Sequence, residues 1–514
     1  MEALLLVVFL STISWICAGK WIAREKVHYG GRSPISPKRR SPKTASHSVT
    51  FYVKPRNMDK LEEILFDVSD PRSANYGKHW TREEVAAFTS NVEGSSKLEA
   101  YLRKEKIMIT KKTEYGEYVT AYGRIEDWER IFATKFHEFE HEDWAHEKLH
   151  RALEYSLSDE INEYVESVFE VVDFPVDLVD LKPVMREIEE VKSRQGSTQG
   201  NRDVNTEATN PLPGTVNPTF LIGYYSIDVT QGSSNTNQGA VQCIGQTLSS
   251  TDLTSFQTKF GTPKRSVDTV YGGHVLANAC ATVGVDNCIE SNLDFQFMMA
   301  VGQNIPTISI YVNNSCNWLS LVQFVQNMKN PPKVLSISYA SYEEDIPTSY
   351  LTSFNNGMIQ LGVMGVTFFA SSGDDGAVGF LVTQTSQCNT YSYSPQFPAS
   401  SPYVTAVGGT QGPESNKAEI ACQMDQDGGI TTGGGFSYSM AVPSYQTSFV
   451  STYFATLTAK GLSSPTGYGT GRGYPDISAL AYNYAIYANN QLIGVSGTSA
   501  SSPVMAGIFA LINS

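Results

Sequence analysis

The sequence predicts two units in tandem: a small α+β unit of the βαββαβ kind, then a larger α/β unit built on a doubly wound parallel sheet. Three observations predict this. Charge density falls sharply near residue 200, with only 8 Lys plus Arg and 16 Asp plus Glu between residues 212 and 514. The later part alternates short β-branched runs, at 240–244, 307–312, 334–339 and 366–370, with helical stretches, a rhythm that puts helices on both faces of a parallel sheet. A chain of 514 residues with 41% apolar content can bury more than one core.

Residues 1–19 carry an apolar run at 3–9, then Ser11, Thr12 and the small Ala18 and Gly19 before Lys20. That order predicts a secretory signal peptide, with a short signal anchor as the other reading because Glu2 stands where a basic residue is usual. No other segment is long enough to span a bilayer, so no stable membrane insertion is expected. The first unit takes residues 20–191. Within it 48–53 alternates as a strand, 58–68 repeats apolar residues at helical spacing up to a turn at Asp70 and Pro71, and 81–89 reads as a second helix; 118–121 and 168–172 complete the strands. Residues 192–214 are polar and rich in Gly, Asn and Pro without periodicity, hence a linker and the natural place for a processing cut. The second unit is 215–514.

A net charge of −14 and a pI near 5.1 exclude nucleic acid as a partner, since phosphate binding needs clustered Lys and Arg. Beyond Cys17, six cysteines remain: Cys243, Cys280, Cys288, Cys316, Cys388 and Cys422. An even number in a secreted chain permits disulfides, but the spacing selects no pairing and matches no zinc site. Asn313-Asn314-Ser315 is a possible N-glycosylation acceptor.

Three places could carry chemistry. Gly497-Thr498-Ser499-Ala500-Ser501-Ser502-Pro503 follows a strand-like 492–495 and precedes an apolar helix at 504–512. A serine at a helix N-terminus sits among unpaired N–H groups that could hold an oxyanion, or it could simply cap the helix. A nucleophilic serine needs a base. Seven of the eight histidines precede residue 151, and His274 has no readable carboxylate partner, so a carboxylate base is expected in the second unit. Residues 286–303 supply one: Glu290 and Asp294 are four apart on a predicted helix, about 40° apart around its axis. Buried together they must share a proton; alternatively, Asn287 and Glu290 form a capping box and Asp294 is a solvated charge. Ser371-Ser372-Gly373-Asp374-Asp375-Gly376 follows the run at 366–370, which sets Asp374 at the sheet rim either as a protonated oxyanion donor or as part of a plain turn.

Together these sites resemble the sedolisin, or serine-carboxyl, peptidase family: Ser499 within SGTSASSPV, Glu290 and Asp294 within IESNLDFQFMM, and Asp374 within SSGDDG. Further likeness lies in FPASSPYVTAVGGT (397–410), GGGFS (433–437) and RGYPD (472–476), and the first unit resembles the family's activation domain through VSDPRSANYGKHW (68–80) and Glu83-Glu84-Val85. The resemblance implies a subtilisin-like doubly wound sheet behind a ferredoxin-like prodomain that inhibits the enzyme. It also implies a Ser-Glu-Asp triad of Ser499, Glu290 and Asp294, with Asp374 at the oxyanion and polypeptides as substrates in a secreted or lysosomal, acidic setting. Gly433, Gly434 and Gly435 could offer an extended substrate an edge to pair with, while RGYPD reads as structural. The helix and serine segments look most like the tripeptidyl peptidases, whereas bacterial and fungal relatives are endopeptidases, so exo or endo action stays open.

Two departures stand out. The family continues well past its serine into a calcium-binding region, but here only fifteen residues follow Ser499; calcium is expected from the resemblance, yet its ligand region is absent, which suggests a fragment or a truncated reading. The cysteine that tripeptidyl peptidases carry after the oxyanion aspartate is replaced by Ala377-Val378-Gly379-Phe380. His137, His141, His146 and His150 could help release the activation domain on acidification, with metal binding or a solvated face as alternatives. The rival functions are a non-catalytic secreted binding protein of the same fold and a subtilisin using His274 as base.

Overall fold

The structure is a computed structural model describing residues 21–26, 36–140, 148–174, 178–179, 184–187, 212–313, 316–379, 393–462 and 470–514. The expected signal peptide, the 192–211 part of the linker, His141, His146, Asn314, Ser315 and Cys388 lie outside the described residues. The chain forms two compact units.

The first contains Ile35–Pro55 and Ser90–Asp173. Its sheet has four antiparallel strands in the order Met108–Lys112, Tyr118–Arg124, Ser46–Val53, Val165–Phe169. With two strands joined by a hairpin and helices before and after them, this is the expected βαββαβ unit. Val49, Phe51 and Val53 alternate onto one face and share a core with Leu98, Leu102, Ile125 and Trp128 of the Val92–Lys104 and Ile125–Ile131 helices. The Val92–Lys104 helix was not expected, because Gly94-Ser95-Ser96 interrupts its apolar rhythm. Asn91 starts it by accepting a hydrogen bond from the Gly94 N–H at 2.8 Å.

Arg56–Thr89, expected within the activation unit, groups by its contacts with the second compact unit. Its Met58–Ser69 helix lays Leu65 over Gly362, in the Thr348–Val363 helix, and Glu62 accepts a 2.6 Å hydrogen bond from the Tyr403 hydroxyl. Trp80 N–H donates to the Val363 carbonyl at 3.0 Å. The apolar rhythm at 58–68 revealed the helix but not which core would take its face.

The second unit is built on an eight-stranded sheet. Its order runs Thr269–Tyr271, Thr307–Tyr311, Gln238–Gln242, Val334–Ile337, Thr367–Ser371, Thr405–Gln411, with Ile477–Leu480 parallel to the last of these and Ile420–Ala421 antiparallel to it. The first six strands are all parallel, as expected. The expected strand at 492–495 is Gln491–Ser496, but it joins a separate antiparallel sheet with Tyr484–Ala488. Two helices meet beside the main sheet: Ile289–Val301, in which every residue is buried, and Thr498–Ile512. Gly507 lets them close, since a Cβ there would lie 3.0 Å from Val301 Cβ. Leu293, Phe297, Val504 and Ala506 fill the core they share.

Candidate active site

The Ile289–Val301 helix puts Glu290 in its first turn and Asp294 one turn later, and both are buried, at 3% and 0% exposure. The capping-box alternative fails on geometry: Cys288, not Asn287, stands at the cap with no side-chain capping bond, and Asp294 is not at the surface. Asp294 is held from both sides. Its Oδ1 accepts from Ser338 Oγ and its Oδ2 from Gln242 Nε2, each at 2.7 Å. Ser291 Oγ and Tyr339 OH both donate to Gln242 Oε1, which fixes the amide so that its NH₂ faces Asp294.

Ser338 Oγ also lies 3.4 Å from the Ser499 carbonyl, so one hydroxyl ties the aspartate to the backbone of the serine. Ser499 occupies the second position of the Thr498–Ile512 helix, and its buried Oγ makes no hydrogen bond. It is therefore not the cap. That part is played by Asp374, whose Oδ1 accepts from Thr498 N–H at 2.7 Å and from Thr498 Oγ at 2.8 Å. Its other oxygen, Oδ2, is buried without a partner. Both carboxylate oxygens of Glu290 are likewise unpartnered. The Ser499 and Ser338 hydroxyls lie near enough to Glu290 to favour its charged form, but short of completed hydrogen bonds.

Electrostatics follow from this burial. Desolvation first, then the charges of Asp294 and Asp374, push Glu290 well above the ordinary carboxyl range. Desolvation lifts Asp294 to about 7 against the opposing bonds from Ser338 and Gln242. Asp374 is lifted to about 6, again by burial, with the Thr498 bonds pulling the other way. Because Oδ1 of Asp374 already accepts two hydrogen bonds, a proton on this carboxyl belongs on Oδ2. Three neighbouring buried carboxyls with raised values make this a candidate site for proton transfer.

Two of the three glycines expected to offer a substrate edge, Gly433 and Gly435, are engaged within the protein. Gly433 N–H donates to the Gly373 carbonyl at 2.6 Å, Ser372 Oγ donates to the Gly433 carbonyl at 2.8 Å, and a Cβ on Gly433 would collide with the Ser372 carbonyl oxygen. Gly435 pairs with Tyr474 in a short antiparallel ladder. Gly433 thus braces the loop that carries Asp374. In RGYPD, Arg472 is fully buried and bonds Asp476 at 2.5 Å, a structural part as expected. His274 stacks on Tyr311 with ring centroids 3.4 Å apart and shares a 3.1 Å hydrogen bond with Thr247, and neither partner is a carboxylate or Ser499. Gln242, Ser338, Tyr339 and Thr498 were missed from the sequence. The first three lie at or just past the carboxyl ends of parallel strands, which is the positional signal that could have found them.

Extended backbone also crosses this region. Leu178–Val179 pairs antiparallel with Ala340 and Ser341, and Val184–Glu187 pairs antiparallel with Ile493–Ser496, so the stretch before the linker contributes strands to the second unit. Cysteines pair as Cys243–Cys316 and Cys280–Cys288, and Cys422 is free and buried. Among the described residues no three His, Cys, Asp or Glu side chains converge as a metal set. The described residues offer calcium no such site.

A subtilisin-like parallel sheet with a buried serine at a helix start, beside buried carboxyls, is the arrangement of a serine peptidase. Known proteins agree. Residues 36–174 match the Pro-kumamolisin activation domain and residues 272–514 the Subtilase family. The chain is 29% identical over 489 residues to Tripeptidyl-peptidase SED2 of Arthroderma otae, covering 90% of this chain and 77% of that one. It is also 29% identical over 489 residues to Tripeptidyl-peptidase 1 of Homo sapiens, covering 91% and 78%. A solved Pseudomonas sedolisin, complexed with pseudo-iodotyrostatin, is 26% identical with a TM-score of 0.43, covering 59% of this chain and 81% of that one. The chain is a serine peptidase of the sedolisin and tripeptidyl-peptidase family, carrying an activation domain ahead of its peptidase domain.

Proposed function

We propose that this protein hydrolyses peptide bonds at acid pH with Ser499 as nucleophile, Glu290 as general base, Asp294 as its partner and Asp374 as oxyanion donor. One observation carries the assignment: Ser499 Oγ, both oxygens of Glu290 and Asp374 Oδ2 are buried, and none of them completes a hydrogen bond within the protein. Orphaned groups of that kind are costly unless a substrate completes them.

Glu290 takes the Ser499 proton as the Oγ–C bond forms and the carbonyl electrons move to oxygen. Asp374 Oδ2–H donates to that oxygen, at the start of the Thr498–Ile512 helix whose unpaired N–H groups favour negative charge. Collapse breaks the C–N bond, and Glu290 returns its proton to the leaving amine; water then repeats the cycle on the acyl-enzyme. Base and donor have opposite needs, one ionised and the other protonated. The dyad meets the first by holding one proton between two carboxyls, and acidity meets the second.

The tripeptidyl-peptidase relatives favour removal of tripeptides from free N-termini, endopeptidase action being the other outcome. The activation domain is its own inhibitor, and the working compartment is an acidic lumen or secreted space. The test is to bring the purified zymogen to about pH 4 and offer peptides with free and with blocked N-termini. Tripeptide release from free termini alone supports the proposal; cleavage inside blocked peptides selects endopeptidase action; no cleavage of either removes the catalytic reading.

A further inference from the structure

Glu290 completes no hydrogen bond with an N–H or O–H of the surrounding protein. Both of its oxygens are buried and unpartnered, while Asp294 on the same helix and Asp374 on the facing loop repel its charge, and the buried Tyr339 hydroxyl faces the same dyad. An ionised carboxyl so placed gains by reaching water. The first turn of a helix is where the backbone yields most easily, because its N–H groups lack intrahelical partners. Here no side chain caps that turn.

What closes it is covalent. Cys288, the residue at the cap and two before Glu290, is bonded to Cys280, eight residues earlier in the short Ala279–Val283 helix. Both cysteines are buried, and the loop between them turns back through Gly284 at φ 92°. Asn292, in the next turn, is clamped by Ser249 N–H, Asp252 and the Tyr487 carbonyl, and Ser291 bonds Gln242, so the helix body is secured; at its start the bridge acts beside two backbone bonds, Thr247 N–H to the Asn287 carbonyl and Asn292 N–H to the Cys288 carbonyl. The other disulfide follows the same plan: Cys243 is next to Gln242, whose amide holds Asp294.

We propose that the Cys280–Cys288 disulfide is a positioning device for the general base, keeping the first helical turn closed so that Glu290 stays dry beside Ser499. Opening it lets the turn fray and hydrates Glu290, which disables the base while the fold persists. The proposal rests on the catalytic reading above. Chemically, a phosphine reductant and one water convert the disulfide to two thiols and a phosphine oxide, the phosphorus being oxidised and the two sulfurs reduced.

The test uses the acid-processed full chain carrying Cys280→Ser together with Cys288→Ser, and in parallel the unaltered protein treated with a water-soluble phosphine under limiting conditions, with thiols at Cys280 and Cys288 and an intact Cys243–Cys316 bridge verified by alkylation and mass. Near-UV circular dichroism monitors the fold. We expect kcat to fall about tenfold or more with KM within about twofold. The rising limb of the pH–rate profile should move to lower pH, because hydrated Glu290 titrates nearer an ordinary carboxyl. Unchanged kcat with the bridge verifiably open overturns the proposal. So does a lower kcat with an unmoved rising limb, since a merely structural bridge would do that. Should the double variant not fold, the reduced protein alone decides. If Glu290→Gln in the oxidised protein keeps full activity, the catalytic reading itself has failed, a result separable from either outcome above.

Discussion

At the scale of single residues, the site works by leaving the right atoms unsatisfied. Asp374 spends one oxygen on Thr498 and keeps the other free. In Asp374→Asn the carbonyl oxygen can keep the Thr498 bonds while the amide nitrogen donates where Oδ2 stood. The wild-type rate should fall as pH rises through about 6, where Asp374 ionises and stops donating. The variant should retain measurable activity at acid pH but lose that falling limb, which a pH–rate profile checks; an unmoved limb would assign it to another group. Ser499→Ala and Glu290→Gln should each lower kcat on the order of 10³-fold or more, read in single-turnover assays with the acid-processed chain.

At the scale of elements, catalysis depends on how two helices and one loop are spaced. Gly507 allows the Thr498–Ile512 helix to approach Val301 on the dyad helix, so it sets the separation of Ser499 from Glu290. Gly507→Leu forces them apart, with an expected cost of about 1–3 kcal/mol in unfolding free energy. Denaturant melts should show that loss alongside a lower kcat. Gly433→Ala drives a methyl group into the Ser372 carbonyl and shifts the loop that carries Asp374, so kcat should drop with little change in KM. If KM alone rose, the glycines would be a substrate edge after all. The sequence made the dyad helix legible through its i, i+4 carboxyls, whereas the Cys280–Cys288 bridge at its start is visible only in the structure.

At the scale of the whole molecule, the two units respond to acid in opposite ways. In the peptidase unit Asp294 and Asp374 have raised values, about 7 and about 6, so they contribute stability below the ordinary carboxyl range and lose it as pH rises through those values. In the first unit His47 is half-buried. Its Nε2 lies 2.6 Å from the Glu170 carbonyl, its ring meets Phe136 and His150, and burial together with the Arg151 charge lowers it to about 3. An unfolded histidine protonates near pH 6.5 and this one only near 3, so its contribution is lost as pH falls between those limits. Glu170, raised to about 7 by burial and the Asp173 charge, opposes this by stabilising the fold as pH falls from 7 toward its unfolded value of about 4.5. Below about pH 4.5 the histidine loss continues. Glu129, held below the ordinary carboxyl range against its burial by Phe136 N–H, Lys135 and Arg40, and Glu138, held below it by Arg39, add to that loss; Asp173, raised by burial, alone opposes it among the first-unit carboxyls named here. The first unit should therefore open between about pH 4.5 and 3 while the peptidase unit stays closed, which hydrogen exchange across that range will resolve. His47→Gln should move the opening to lower pH. Of the four histidines singled out from the sequence, only His137 and His150 lie among the described residues, and burial lowers both.

Local order alone made much of this protein readable. The alternation of β-branched runs announces a parallel sheet, the charge step marks two units, and three short motifs point to Ser499, the Glu290–Asp294 pair and Asp374. Those are properties of neighbouring residues, and periodicity and spacing record them. Tertiary structure alone decided that residues 56–89 pack with the peptidase unit, which cysteines pair, that Gly433 braces a loop, and that Gln242 and Ser338 hold Asp294. Each of these joins residues far apart in the chain, and desolvation, the force that shifts every carboxyl in the site, exists only once distant segments have closed over it.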